Sequence, residues 1–189
     1  MSDIITLPNL KTYLSESSST FDTILAMLIS AISEAIEKEL GRSLIEATYT
    51  GIEITGNGSV FLYLPNWPVT TLTSLTEDDV ELYEGKDEDF RLYTAKGILE
   101  KLTGCWSTTP KGIVVTYKAG YTISGTPTMP KDLQLMCYHK IARAWKEARS
   151  QGWGETSRSF PDGSVNTIEA VLFDKEEMAI LDNYRRTII

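Results

Sequence analysis

Few side chains in this chain have the chemistry for catalysis or metal binding, and their spacing limits what they can do. There is one histidine, His139, in a stretch with helical periodicity, where a lone imidazole reads as structural. No Ser-His-Asp set can be built around it. The two cysteines, Cys105 and Cys137, stand far apart and lack the paired spacing of a zinc site. They read as small buried hydrophobes in a reducing compartment. The acidic runs Glu77-Asp78-Asp79 and Asp87-Glu88-Asp89 carry enough carboxylate for a metal or for acid–base work. The calcium-loop pattern fails, because the alternating oxygen ligands, central glycine and terminal glutamate do not line up. Acid–base work needs a buried carboxyl with a raised pKa, and solvated turns between strands fit both runs better. Neither Gly-x-Gly-x-x-Gly nor the Walker pattern occurs. Asn57-Gly58-Ser59 matches a glycosylation sequon but reads as a turn. The expectation is no catalytic residue, no metal and no cofactor.

Bulk properties point the same way. The 189 residues suffice for one domain with a sizeable core, and 42% apolar with 23% charged content is ordinary for a soluble protein. A net charge of −8 repels a phosphate backbone, which argues against tight DNA wrapping but not against DNA sliding past. No apolar run approaches the ~20 residues that cross a bilayer. The N-terminus has Asp3 and no basic region, so it does not read as a secretory signal. The expectation is a protein made in a cytoplasm, with no membrane partner.

The elements that would hold these residues follow from periodicity. Residues 6–15 form a short helix with Pro8 in its first turn. After a Ser-rich link, Ser19 and Asp22 suggest a capping box. A long amphipathic helix then runs to Leu40, with Gly41 as its left-handed cap. Phe21, Ile24, Leu25, Leu28, Ile29, Ile32, Ile36 and Leu40 form its apolar stripe. Thr23, Ser30, Ser33, Glu34 and Glu37 form its polar face. Gly56-Asn57-Gly58 predicts a tight hairpin between strands 47–54 and 60–64. Strands 70–75, 79–83, 90–94, 98–101 and 113–118 follow. Pro130 opens a helix over 130–149 with Leu133, Met136, Cys137, Ile141, Ala144, Trp145 and Ala148 on its stripe. Its Lys140, Arg143, Lys146 and Arg149 read as a solvated face. Residues 151–173 read as a flexible loop, and 174–189 as a helix over 175–187 with a tail. The order predicts an α+β protein: mainly a helical bundle, two N-terminal and two C-terminal helices, with a small central antiparallel β region, as a single domain over 1–189.

A set of motifs also carries a resemblance. These are Thr6-Leu7-x-x-Leu10-Lys11-x-Tyr13-Leu14, Leu40-Gly41-Arg42-Ser43-Leu44, Leu62-x-Leu64-Pro65-x-x-Pro68-Val69, Val115-Thr116-Tyr117-Lys118-Ala119-Gly120-Tyr121 and Met129-Pro130-x-Asp132-Leu133. In this order, over roughly residues 4–150, they resemble the head–tail connector (adaptor, or head completion) proteins of tailed bacteriophages and prophages. The resemblance implies a non-enzymatic virion protein at the head–tail interface. It implies a homo-oligomeric ring, usually of twelve copies in the virion, beneath the portal protein. Such a ring extends the double-stranded DNA channel without specific DNA binding and offers a platform to stopper or tail proteins.

It further implies a C-terminal segment that docks on the portal, which makes Tyr184, Arg185, Arg186, Ile188 and Ile189 docking candidates. A closed ring uses heterologous contacts, so the polar face of the long helix, with Thr23, Ser30, Ser33, Glu34 and Glu37, supplies ring-neighbour candidates. The alternatives are a metal-dependent enzyme using carboxylates of 77–89, and a tail terminator or other neck component.

Overall fold

Helical period at both ends and strand period between them divide the chain into two compact units in a computed structural model. The structure describes residues 3–126, 128–149 and 173–186, with the backbone of 157–159 and 165–167. One unit comprises residues 1–41 and 129–189, the other 42–128.

The first unit is helical. Helix α1, Leu7–Leu14, starts where the Thr6 side chain accepts the Asn9 N–H, with Pro8 in its first turn. Helix α2, Asp22–Leu40, ends as expected on Gly41 in the left-handed conformation. The Ser19–Asp22 capping box does not form. The residue before the helix is Phe21, which makes no side-chain cap, and Ser19 offers only its carbonyl to the Asp22 N–H.

Helix α2 buries Leu25, Ile29, Ser33, Ile36 and Leu40. Ile24, placed on the core stripe by its spacing, is 42% exposed. Apolar residues cover more of this helix than its partners can bury. Helix α3, Lys131–Arg149, buries Leu133, Met136, Cys137, Ile141 and Trp145 against α1 and α2. It also buries Lys140, expected in solvent, because Glu177 on α4 meets its ammonium at 2.6 Å. Helix α4 spans Lys175–Asp182, shorter than the expected 175–187, and opens with a full Asp174–Glu177 capping box. Within the segment expected to be a loop, β8 (Ser157–Ser159) and β9 (Val165–Thr167) pair antiparallel. No helix among the described residues is long and apolar enough to cross a membrane.

The second unit overturns the expected helical bundle with a small β region. Its strands are β1 (Ala47–Ile54), β2 (Phe61–Tyr63), β3 (Val69–Glu77), β4 (Val80–Glu81), β5 (Phe90–Tyr93), β6 (Ile98–Lys101) and β7 (Ile113–Ala119). They make two antiparallel sheets, β1-β7-β3-β4 and β2-β6-β5, around a core of their own. Leu62, Leu64, Leu75, Phe90, Leu99, Trp106, Val115 and Tyr117 fill that core. The protein is α+β with comparable helical and sheet units.

The expected β1–β2 hairpin is also absent. β1 pairs with β7, Ala47 opposite Ala119, and β2 pairs with β6. The Asn57-Gly58 turn exists, with the Asn57 side chain accepting the Ser59 N–H, but it carries the chain from one sheet to the other. Gly56 has a separate cause: a Cβ there would lie 2.2 Å from the Ser107 carbonyl oxygen.

Candidate functional site

The residues with catalytic potential are held by ordinary structural contacts. His139 is exposed on α3, its ring 6.2 Å from that of Tyr13, which stacks on Tyr138. Cys137 is fully buried; burial pushes its thiol pKa up to about 12, and the Asp3 carboxylate adds to the effect. Cys105 is exposed and free. Glu77 is nearly buried, pairs with Lys101, and accepts the Ser107 N–H at 2.6 Å. Asp78 and Asp79 form the β3–β4 turn with φ of 49° and 65°. Asp89 accepts the Tyr83 N–H. Glu77 and Asp89 therefore hold neighbouring loops in place. Among the described residues no three His, Cys, Asp or Glu side chains are grouped to hold a metal ion.

The motifs of the middle of the chain converge on one junction inside the second unit. The Arg42 guanidinium lies 3.8 Å over the Trp67 ring and donates to the Trp67 carbonyl. Tyr121 N–H donates to the Leu44 carbonyl, and Glu46 N–H to the Tyr121 carbonyl. Gly120 N–H donates to the Pro68 carbonyl, and Asn66 N–H to the Tyr117 hydroxyl. Gly120 has φ 114°, and a Cβ there would meet the Ile45 backbone at 2.6 Å. At the C-terminal end of β7, Lys118 reaches Glu46 at 2.7 Å, and that hydrogen bond holds the Glu46 carboxyl below the usual carboxylate range. These motifs thus specify a backbone crossing rather than a reactive centre.

The ring-neighbour candidates on α2 divide. Thr23 and Glu34 are exposed, and Glu37 is half-buried. Ser30 donates to Asp3 at 2.9 Å. Ser33 is buried, and its hydroxyl accepts the Ile4 N–H at 3.0 Å, so it faces its own chain. The outermost apolar side chains of the helix are instead Met27, 64% exposed, and Ile24. Spacing hides Ile24 by placing it on the apolar stripe, whereas Met27 falls outside that stripe.

The docking candidates lie around the end of α4. The Tyr184 hydroxyl donates to Asp132 on α3 at 2.7 Å. Arg185 pairs with Glu39 on α2 and with Asp182 at 2.9 Å. Arg186 is half-buried. Ile188 and Ile189 lie outside the described residues. Tyr184 and Arg185 thus clasp α4 onto the helical unit.

The second unit also has an open apolar face. On β2-β6-β5, Leu62 and Leu99 point inward, while Tyr63, Ile98 and Tyr93 form one outward row. Phe61, Glu100 and Arg91 form the next row. Phe61 and Tyr93 are each 42% exposed. Together with Lys96 they line a groove of about 600 Å³.

Fold and surfaces define a class: an α+β protein with a clasped helical unit, a two-sheet unit, and prominent apolar side chains on the outside of both. The chain belongs to the head completion protein family, whose sequence model matches residues 3–187. Among the solved structures that share its fold are two from gene transfer agent (GTA) particles. A chain described in the neck of an empty GTA particle, computed with C6 symmetry, is 19% identical with TM-score 0.55, covering 98% of this chain and 91% of that one. A chain from the virion of the native GTA particle is 19% identical with TM-score 0.56, at the same coverage. No curated protein matches the chain.

Proposed function

We propose that this chain is a non-enzymatic subunit of the head–tail neck of a phage-like virion, made in the host cytoplasm. It assembles as a ring, of twelve copies in the virion, between the portal and the tail or stopper proteins. The observation that carries this reading is the family match over 3–187. The buried or paired state of Glu77, Cys137 and Lys140 supports it, since these groups are engaged in holding the fold. The fold neighbours support it as well: both are described in GTA particles, one in a neck computed with C6 symmetry. An acidic body, net charge −8, suits a channel that DNA must traverse without being gripped.

The portal contact falls to the segment beyond Arg186, with Ile188 and Ile189. Tyr184 and Arg185 fix its point of departure by their contacts to Asp132 and Glu39. The chain beyond Arg186 is therefore the part to remove; deleting all of α4 would strip Leu181 from the core and orphan Lys140. Binding to the portal protein is measured for the full chain and for a chain ending at Arg186. The full chain is expected to bind, and the shortened one to bind at least tenfold more weakly while melting at the same temperature. No binding by the full chain would refute the neck role; equal binding by both would refute docking through the tail.

A further inference from the structure

We propose that the Asn57-Gly58 turn is a site of covalent self-modification. It sheds the Asn57 side-chain nitrogen as ammonia and reopens with water, which leaves an isoaspartyl or an aspartyl link to Gly58. Asparagines stand at 9, 57, 66, 166 and 183, and only Asn57 is followed by glycine. The backbone nitrogen after an asparagine is held within reach of the side-chain carbonyl carbon, so its attack closes a five-membered imide. A Cβ on the following residue hinders that approach, and Gly58 has none. Asn57 and Gly58 are both exposed, and among the described residues the Gly58 N–H has no acceptor. No hydrogen bond of the fold has to break before that nitrogen gives up its proton.

The turn also supports the reacting oxygen. Ser59 N–H donates to Asn57 Oδ1 at 3.0 Å. As the deprotonated Gly58 nitrogen bonds to Cγ, the carbonyl electron pair moves onto Oδ1, where that N–H already points. When the pair returns, the Cγ–Nδ2 bond breaks and the nitrogen leaves with a proton from water as ammonia. Water then adds to one imide carbonyl. Opening at the backbone carbonyl leaves the isoaspartyl link, and opening at Cγ leaves the aspartyl one. The balance is one water in and one ammonia out. The isoaspartyl link holds one more main-chain carbon, ~1.5 Å of extra chain. The flanks have no slack for it. Before the turn, a Cβ on Gly56 would lie 2.2 Å from the Ser107 carbonyl oxygen. After it, the Ser59 carbonyl accepts the Trp106 N–H, and the Val60 carbonyl accepts the Lys101 N–H and the Trp106 indole N–H, each at 2.9 Å.

The test incubates the full chain at pH 9, folded and in urea, and locates the products by peptide mass spectrometry with electron-based fragmentation. In the folded chain Asn57 is expected to react at least tenfold faster than any other asparagine, and within threefold of its own rate in urea. A folded-state rate at Asn57 no greater than at the other asparagines would overturn the proposal. Stronger protection by folding than threefold would overturn the claim that the turn presents the reacting groups. Ammonia release is expected to fall at least tenfold in Asn57→Asp, and undiminished release would place the reaction elsewhere. Both products gain a carboxylate and separate from the parent by ion exchange. The isoaspartyl form is expected to melt below Asn57→Asp, which keeps the main-chain length and the acceptor for Ser59. Equal melting would contradict the taut flanks.

Discussion

Two buried groups show how individual side chains hold the helical unit. Cys137 keeps its proton when folded, with a pKa pushed to about 12 against an ordinary value near 9. At pH 8 a thiol reagent is therefore expected to modify Cys105 rapidly and Cys137 only after unfolding, as counted by mass spectrometry. The raised value also fixes a sign. Below pH ~9 the thiol is neutral in both states and stability does not depend on it. Between pH 9 and 12 only the unfolded chain ionises it, so this group removes ~1.4 kcal/mol of stability per pH unit. Urea unfolding at pH 8 and pH 10 should show a smaller fall in Cys137→Ala than in the parent.

Lys140 makes the converse case. Its ammonium is buried against Glu177, whose carboxylate also receives the Asp174 N–H at 2.8 Å. Glu177→Gln preserves the capping geometry but leaves Lys140 without a counter-charge, and is expected to cost about 3 kcal/mol. Asp174→Ala, which removes only the cap, is expected to cost about 1 kcal/mol. Equal losses in chemical denaturation would show that the buried pair contributes little.

At the scale of elements, what was legible in the sequence was what is local. Helices α2 and α3, the Gly41 cap, and strands β6 and β7 lie where periodicity and turn residues predict them. Pairing was not legible. Asn57-Gly58 is a genuine turn, yet β1 finds its partner in the distant β7, Ala47 opposite Ala119, and no local signal reports such a choice. That distant pairing, with β2 paired to β6, divides the strands between two sheets.

The candidate surfaces were partly legible. The polar face of α2 was located, but burial of Ser33 and exposure of Ile24 and Met27 depend on which neighbours pack on the helix. The sheet groove left no periodic signal, because Phe61, Tyr63 and Tyr93 read as ordinary strand aromatics.

The junction of Leu44, Pro68 and Gly120 is the element-scale consequence that can be tested. Gly120→Ala must leave a φ of 114° or push back the Ile45 backbone, and is expected to destabilise by about 2 kcal/mol or more. A loss within ~0.5 kcal/mol in urea titration would show that the crossing relaxes freely.

At the scale of the whole molecule, the same economy recurs in both units. Titratable groups near the core are matched internally, as with Lys101 to Glu77 and Lys140 to Glu177. Large apolar side chains stand outside, as with Met27 on α2 and Tyr93 on β5. Exposed apolar side chains of this kind suit a subunit that neighbours cover. The decisive question is whether copies of this chain meet one another at the portal. Electron-microscope images of the purified chain mixed with its portal protein, averaged without imposed symmetry, test this most directly. The predicted result is a closed ring of this chain coaxial with the portal and open along its axis. Portal particles carrying single, scattered copies, or no added density at all, would contradict it.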